Sequence, residues 1–219
     1  QLGFEQLLLL AFTLGGGIAY LHHFLAAVLP AYPLAQGVAL LLLFMLANAV
    51  MSLPFDLYYT FRLEAKFKFN KMTIGLFFQD LIKQAGLMLL LGVPLLFLVL
   101  WLMQKMGANG WLYVFFAVAG FQLLLLSVYP TFIAPLFNQF TPLADASLRA
   151  QIEGLLARCG FVSKGVFMMD GSKRSSHGNA YFTGFGANKR IVFFDTLLKT
   201  LNPAEFEAVL AHELGHFKH

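Results

Sequence analysis

The chain has 219 residues, of which 59% are hydrophobic and only 12% are charged. Soluble globular domains are nearer half apolar and a quarter charged, so this composition excludes an ordinary soluble domain and indicates a membrane protein. The formal net charge of +4 is modest. Because no basic cluster has the polar surroundings of a nucleic-acid-reading surface, we expect a lipid bilayer as partner and no nucleic acid.

Four apolar stretches are each long enough to cross a bilayer, which takes a helix of about 20 residues. None of them contains Asp, Glu, Lys or Arg. The sequence therefore predicts an α-helical integral membrane protein whose transmembrane region covers residues 1–130. The predicted spans are residues 7–29, 34–53, 85–103 and 111–129.

The first predicted span has two unusual features. Gly15, Gly16 and Gly17 allow either close helix packing or a kink. His22 and His23 are ionisable residues at membrane depth; they either line a water-filled chamber or lie near the interface as neutral side chains.

The basic residues are concentrated in two places. The predicted loop 54–84 holds five Lys and Arg residues, and the segment after Pro130 holds nine of the fifteen in the chain. With four spans, these two regions lie on the same side of the membrane. The excess of basic residues predicts that this side is cytoplasmic.

Residues 131–219 are predicted to form the first part of an α/β domain. Pro130 and Pro135 are predicted to end the fourth membrane helix. The apolar periodicity then predicts a helix, three strands and the start of a further helix at Asp195. The helix covers residues 148–159 and the strands cover residues 166–169, 180–185 and 191–194. In the polar loop 170–179, Lys173 and Arg174 are interpreted as a solvated turn, or else as ligands for a substrate carboxylate.

The last segment carries the strongest chemical signal. Asn202 and Pro203 suit the cap and first position of a helix. On that helix His212 and His216 lie one turn apart, so both imidazoles can bind one ion. Glu213 between them is positioned to accept a proton from zinc-bound water, which is the chemistry of the H-E-x-x-H pattern in zinc peptidases. If the pattern arose by chance, the two histidines belong to a solvated helix face.

The third zinc ligand is left open by this pattern. His219 is near the same helix face, but one straight helix poorly supplies three tetrahedral ligands. We expect the third ligand to be a carboxylate from a downstream helix. Since the chain starts at Gln1 and ends within a helical pattern, we expect both ends to be cut and the isolated fragment to be inactive. The missing C-terminal part of the same protein is then a further partner.

Several segments resemble the Ste24 family of integral-membrane zinc proteases, the CAAX prenyl protease 1 group of peptidase family M48. The resemblance covers nearly the whole chain. It rests on FNKMT at residues 69–73, PTFIAPLFNQFTPL at 130–143, DGSKRSSHGNAYFTGFG at 170–186 and VLAHELGH at 209–216.

The resemblance implies seven transmembrane helices around a chamber, a zincin-like protease domain on the cytoplasmic side, and Zn²⁺ held by His212, His216 and a downstream Glu. It implies as substrates prenylated CAAX-type proteins in eukaryotes, or misfolded membrane-associated proteins in bacteria. The corresponding membranes are the endoplasmic reticulum and the bacterial inner membrane. Asn179, Ala180 and Tyr181 resemble the edge strand that pairs with extended substrate in related peptidases.

The sequence thus predicts a membrane-embedded zinc metalloendopeptidase. The alternative is a non-catalytic membrane scaffold or chaperone-like protein that retains a structural metal helix. Retention of Glu213 favours the enzyme, because a purely structural zinc site needs no base there. A transporter is disfavoured, since no charged residue lies in any predicted span.

Overall fold

The computed structural model describes residues 2–158, 165–183 and 190–200, together with Glu205 and Ala208. The helices are α1 (Leu2–Leu14), α2 (Gly17–Val28), α3 (Pro33–Tyr58), α4 (Ile74–Leu87), α5 (Val93–Lys105), α6 (Gly110–Val128), α7 (Ala134–Phe137), α8 (Ala146–Arg158) and α9 (Asp195–Thr200). The strands are β1 (Phe140–Pro142), β2 (Val166–Met169), β3 (Ala180–Thr183) and β4 (Arg190–Phe194). Short π-helical turns lie at Tyr59–Glu64, Met88–Gly92 and Tyr129–Ile133, and 3-10 turns lie at Gly107–Asn109 and Gly171–Lys173.

Three continuous helical stretches of the described residues are long and apolar enough to cross a bilayer. They are Pro33–Glu64, Ile74–Lys105 and Gly107–Phe137. At most 6% of the most apolar part of each is buried within the protein. Apolar surface on this scale needs lipid or further protein to cover it, so the predicted helical, multi-pass membrane architecture is confirmed.

The structure differs from the prediction in the first span. The stretch 7–29 is divided between α1 and α2, which are separated by Gly15 and Gly16. Gly16 has a φ of 76°, in the left-handed region that glycine adopts without steric cost. The glycine run therefore breaks the helix, which is the kink that the sequence allowed for.

Helices also extend further than predicted on both sides of the basic connector and past Pro130. Residues 54–64 continue α3, and α4 begins at Ile74, so the connector is only residues 65–73. The basic side chains did not stop the helices, because Lys and Arg are good helix formers. After α6 the helix passes through the π turn Tyr129–Ile133 into α7. The wider hydrogen-bond spacing of that turn accommodates Pro130, which has no N–H to donate.

The chain divides into two compact units. One comprises Gln1–Glu64 and Leu81–Phe121, and the other comprises Ala65–Asp80 and Gln122–His219. The second unit contains β1–β4, the connector 65–73 and Asp80. The division predicted at residue 130 stays a prediction.

The strands form one mixed sheet in the order β1-β2-β4-β3. β2 and β4 run parallel, whereas β1 and β3 are antiparallel to their neighbours. The predicted strands at β2, β3 and β4 are confirmed, although residues 184 and 185 lie outside the described part. The three-residue strand β1 was not predicted.

The main core of this unit lies between α8 and one face of the sheet. Ile152 and Leu156 of α8 pack with a cluster of buried strand residues, among them Ile191 and Phe193. In the strand register, the side chains of Tyr181, Arg190 and Val192 point to the opposite face. The guanidinium of Arg190 lies 5.6 Å from the centre of the Phe167 ring, on this second face.

Candidate functional site

Strand β3 lies at an edge of the sheet among the described strands. Of these strands it pairs with β4 alone, with Ala180 opposite Phe193 and Tyr181 opposite Val192. A strand edge presents main-chain donors and acceptors that an extended peptide can bind. The structure thus brings Asn179, Ala180 and Tyr181 to a location suited to strand addition.

The register determines which backbone groups of β3 face away from β4. The N–H of Phe194 donates to the carbonyl of Asn179 at 2.9 Å, so Asn179 directs its backbone toward β4. In an antiparallel pair this direction alternates, so Tyr181 also faces β4, while Ala180 and Phe182 face away from it. Of the three residues identified from sequence, only Ala180 offers outward backbone groups. Phe182 was missed, because the direction depends on the strand register.

The Asn179 side chain is hydrogen-bonded to one of these outward backbone groups. Its Oδ1 accepts a hydrogen bond of 2.9 Å from the N–H of Ala180. The carbonyl of Ala180 and both backbone groups of Phe182 point outward as well. These groups face the side of β3 on which an extended peptide would add, and such a peptide would reach the Ala180 N–H only by displacing the Asn179 amide.

The Tyr181 side chain is used by the fold. Its hydroxyl donates to the sulfur of Met169 at 3.7 Å, and its ring packs edge-on against Phe194 with centroids 6.2 Å apart. Burial raises the pKa of Tyr181, with a further contribution from Tyr129, and the nearby Arg190 charge opposes this rise. Tyr181 is thus a neutral, half-buried residue that holds β3 on the sheet.

The loop before β3 is attached to α9 at its start. The N–H of Ser172 donates to Oδ1 of Asp195 at 2.9 Å, and the Ser172 hydroxyl donates to Oδ2. Burial alone would raise the pKa of Asp195, but these hydrogen bonds and the Lys199 charge lower it. The ionised carboxylate therefore fixes the first turn of the loop.

The interpretation of residues 173 and 174 as a solvated turn is wrong for Arg174, which is largely buried in an ion pair. Lys173 does remain half exposed, where its Nζ lies 2.5 Å from Asp170. The Arg174 side chain is only 20% exposed, and its guanidinium binds both oxygens of Asp80 at 2.8 Å and 3.0 Å. A guanidinium engaged in this way is not available as a ligand for a substrate carboxylate.

Sequence reasoning missed Asp80 as a site residue. Asp80 is 6% exposed and belongs to α4. A signal was present, since Asp80 is the only acidic residue between Glu64 and Asp145. An isolated acid in so apolar a stretch needs a specific partner, but the sequence does not show that the partner is 94 residues away.

The same loop is bound along its length to the connector 65–73. The N–H of Lys71 donates to the carbonyl of Arg174 at 3.0 Å, and the N–H of Ser176 donates to that of Phe69 at 2.9 Å. The ring of His177 lies 4.2 Å from that of Phe69, measured between centroids. The connector segment FNKMT and the loop segment that follows β2 thus contact each other directly.

The predicted metal ligands lie outside the described residues. His212, Glu213 and His216 all belong to that part of the chain. Within residues 2–158, 165–183 and 190–200, no group of three His, Cys, Asp or Glu side chains is arranged to hold a metal. Glu205 and Ala208, the described residues of the final segment, are helical. In α2, the rings of His22 and His23 are 5.9 Å apart, and the role of this pair stays open.

Two family models match consecutive parts of the chain. The first, described as CAAX prenyl protease N-terminal, five membrane helices, matches residues 1–139. The second, peptidase family M48, matches residues 142–219.

Curated relatives and a solved structure agree with these matches. The chain is 45% identical to a CAAX prenyl protease 1 homolog of Arabidopsis thaliana over 78% of its length, and 43% identical to CAAX prenyl protease 1 of Saccharomyces cerevisiae over 84%. It covers 41% of each of those proteins. The crystal structure of S. mikatae Ste24p matches 95% of this chain with a TM-score of 0.87 and 40% identity, and the match covers 50% of that protein.

These findings, together with the apolar helices and the small mixed sheet, define the class as an integral-membrane peptidase family. The chain belongs to peptidase family M48 and, within it, to the CAAX prenyl protease 1 family. The resemblance seen in the sequence motifs is confirmed. The chain spans about half the length, or less, of the relatives it matches.

Proposed function

We propose that the full-length protein is a membrane-embedded zinc metalloendopeptidase. The observation that carries this proposal is the H-E-x-x-H pattern of residues 212–216 in a chain of family M48. Glu205 and Ala208, earlier in the same segment, are helical, and a helix across residues 212–216 would bring His212 and His216 to one side.

The donor set suits zinc. Two neutral imidazoles one helical turn apart can bind one ion, and zinc sites of catalytic type take three protein ligands and leave one position open. We expect the third ligand to be a carboxylate beyond His219, and residues 1–219 alone to be inactive. When bound, zinc polarises the scissile carbonyl and lowers the pKa of a bound water.

Glu213 is the proposed general base. It lies next to a ligand in sequence, so on a helix its carboxylate is beside the metal position and within reach of the attacking water. It takes a proton from that water and returns it to the leaving amine. Replacing Glu213 by alanine would leave both imidazole ligands in place and remove the base.

Strand β3 is the proposed site for the extended substrate. The outward backbone groups of Ala180 and Phe182 align the peptide by main-chain hydrogen bonds, which makes binding tolerant of side-chain sequence. Asn179 and Tyr181 contribute indirectly, through the Ala180 N–H and through the seating of the strand.

The names of the relatives suggest the substrate. Proteins called CAAX prenyl protease 1 are named for prenylated CAAX-type C-termini, and we propose this substrate class for a eukaryotic source. For a bacterial source we propose misfolded membrane-associated proteins. We place the basic connector and the protease region on the cytoplasmic side of the endoplasmic reticulum or the bacterial inner membrane, from the distribution of Lys and Arg.

The test compares full-length wild type with the Glu213→Ala variant for zinc content and peptide cleavage. We expect Glu213→Ala to retain zinc and to lose activity by a factor of at least about 10², the lower range for a general base. Glu205→Gln is the matched control, since it replaces an exposed acid on the same segment by an uncharged side chain of the same shape. Undiminished cleavage by Glu213→Ala would refute Glu213 as the base, whereas a wild type that cleaves no peptide would favour the non-catalytic scaffold.

A further inference from the structure

The Arg174 guanidinium joins three parts of the second unit. Besides the two oxygens of Asp80, it donates to Oδ1 of Asn138 at 2.7 Å and to the carbonyl of Phe137 at 2.6 Å. One side chain thus connects the loop after β2 to the first half of α4 and to the end of α7. A planar fork with several fixed donors can do this, whereas a lysine ammonium cannot reproduce the geometry.

The burial of this pair indicates that it fixes geometry. The side chains of Arg174 and Asp80 are 20% and 8% exposed. Removing two charges from water is costly, and apolar residues of similar size often stabilise a protein as well as a buried ion pair does. The arrangement of four directed hydrogen bonds does define one relative position of the three segments, which apolar packing would define less sharply.

Arg174 is also close in sequence to the proposed substrate strand. The residues between Arg174 and Asn179 are hydrogen-bonded to the connector 65–73 and to α9. Ser176 bonds to Phe69 in the connector, and the Thr196 hydroxyl donates to the carbonyl of His177 at 2.8 Å. A displacement of Arg174 is therefore passed along a short, anchored segment to the start of β3.

We propose that Arg174 is a positioning residue for peptide binding, with Asp80 as its main partner. It holds the loop 170–179 so that the outward backbone groups of Ala180 and Phe182 lie where an extended peptide can pair with them. This inference rests on the proposed function. What it adds is that substrate alignment along β3 depends on the ion pair between Arg174 of that loop and Asp80 of α4.

The test uses the full-length zinc-loaded protein and two peptides. One is an extended peptide long enough to pair along β3, and the other is its shortest cleavable truncation around the same bond. Arg174→Lys retains the charge but loses the fork. We expect a rise of about tenfold in KM for the extended peptide, the size expected from losing one hydrogen bond to a charged group, with kcat and the short peptide changed less than about twofold.

The controls separate positioning from general damage. Arg149→Lys is the matched variant, because Arg149 forms an exposed ion pair with Glu153 on α8, away from the loop 170–179 in sequence. Zinc content and thermal midpoint are measured for every variant. Asn138→Ala removes only one of the four hydrogen bonds and serves if Arg174→Lys does not fold; we expect the same selective loss on the extended peptide, by about two- to fivefold.

An equal change on both peptides, or no change on either, overturns the positioning role for whichever variant folds. Glu213→Ala is assayed on the same peptides. If it cleaves them as wild type does, the proposed function fails whatever Arg174→Lys shows. If it is inactive while Arg174→Lys matches wild type, only the positioning role is overturned.

Discussion

Because the backbone groups of β3 alternate in direction, we predict that cleavage is sensitive to changes in the substrate backbone at every second substrate residue. A peptide that adds to β3 directs the N–H of every second residue toward the strand and the intervening ones away from it. Replacing one substrate amide by an ester removes a single N–H donor. Esters at the inward positions should weaken cleavage, and esters at the outward positions should not.

The magnitude follows from the hydrogen bonds that the strand can form. The acceptors facing outward on β3 are the carbonyls of Ala180 and Phe182, each able to take one substrate N–H. A net contribution of about 0.5–1.5 kcal/mol for each hydrogen bond corresponds to a fall of about 2- to 13-fold in kcat/KM. Because β3 has four residues, no more than two substrate positions should respond.

The assay measures kcat/KM of the full-length protein for a series of peptides with one ester at successive positions, excluding the scissile bond. The unmodified peptide and an N-methylated peptide at each responsive position are the controls, since N-methylation also removes the donor. Losses of equal size at adjacent positions, or no loss at any position, would contradict strand addition at this edge.

Two further predictions concern the stability of the second unit. Ile152→Ala should reduce the free energy of unfolding by about 2–5 kcal/mol, because Ile152 is 2% exposed between α8 and the sheet. The control is Gln151→Ala at the exposed neighbouring position, which should change this free energy by less than about 0.5 kcal/mol in thermal or denaturant unfolding. Equal effects of the two variants would contradict the placement of the core. Ser172→Ala should destabilise the protein at pH 7 but progressively less as the pH falls below the ordinary Asp pKa of 3.8. The sign follows because the folded pKa of Asp195 is lowered, so its stabilisation is present above the unfolded pKa and is lost as pH falls through the folded pKa. Thermal midpoints across that pH range test this, with Ser176→Ala as control, and a pH-independent difference would show that the Asp195 charge is not involved.

Features that depend on neighbouring residues were readable from the sequence. Long uncharged apolar runs predicted the membrane helices, and strand β2 was predicted with the bounds that it has, Val166–Met169. Helix α8 was predicted within two residues at its start. These predictions succeed because membrane insertion, helical periodicity and strand alternation are set by the side chains within one or two turns. The H-E-x-x-H pattern is also local, but its residues lie outside the described part of the chain, so the metal site stays a prediction.

The sequence by itself therefore determined the membrane helices and most of the strands, and it predicts the metal ligands. The tertiary structure alone decided the sheet order that leaves β3 at an edge among the described strands, and the register that turns Ala180 and Phe182 outward. It also decided that Arg174 binds Asp80. These features join segments far apart in the chain, and no local pattern encodes such pairing, because it is fixed only when the whole core packs.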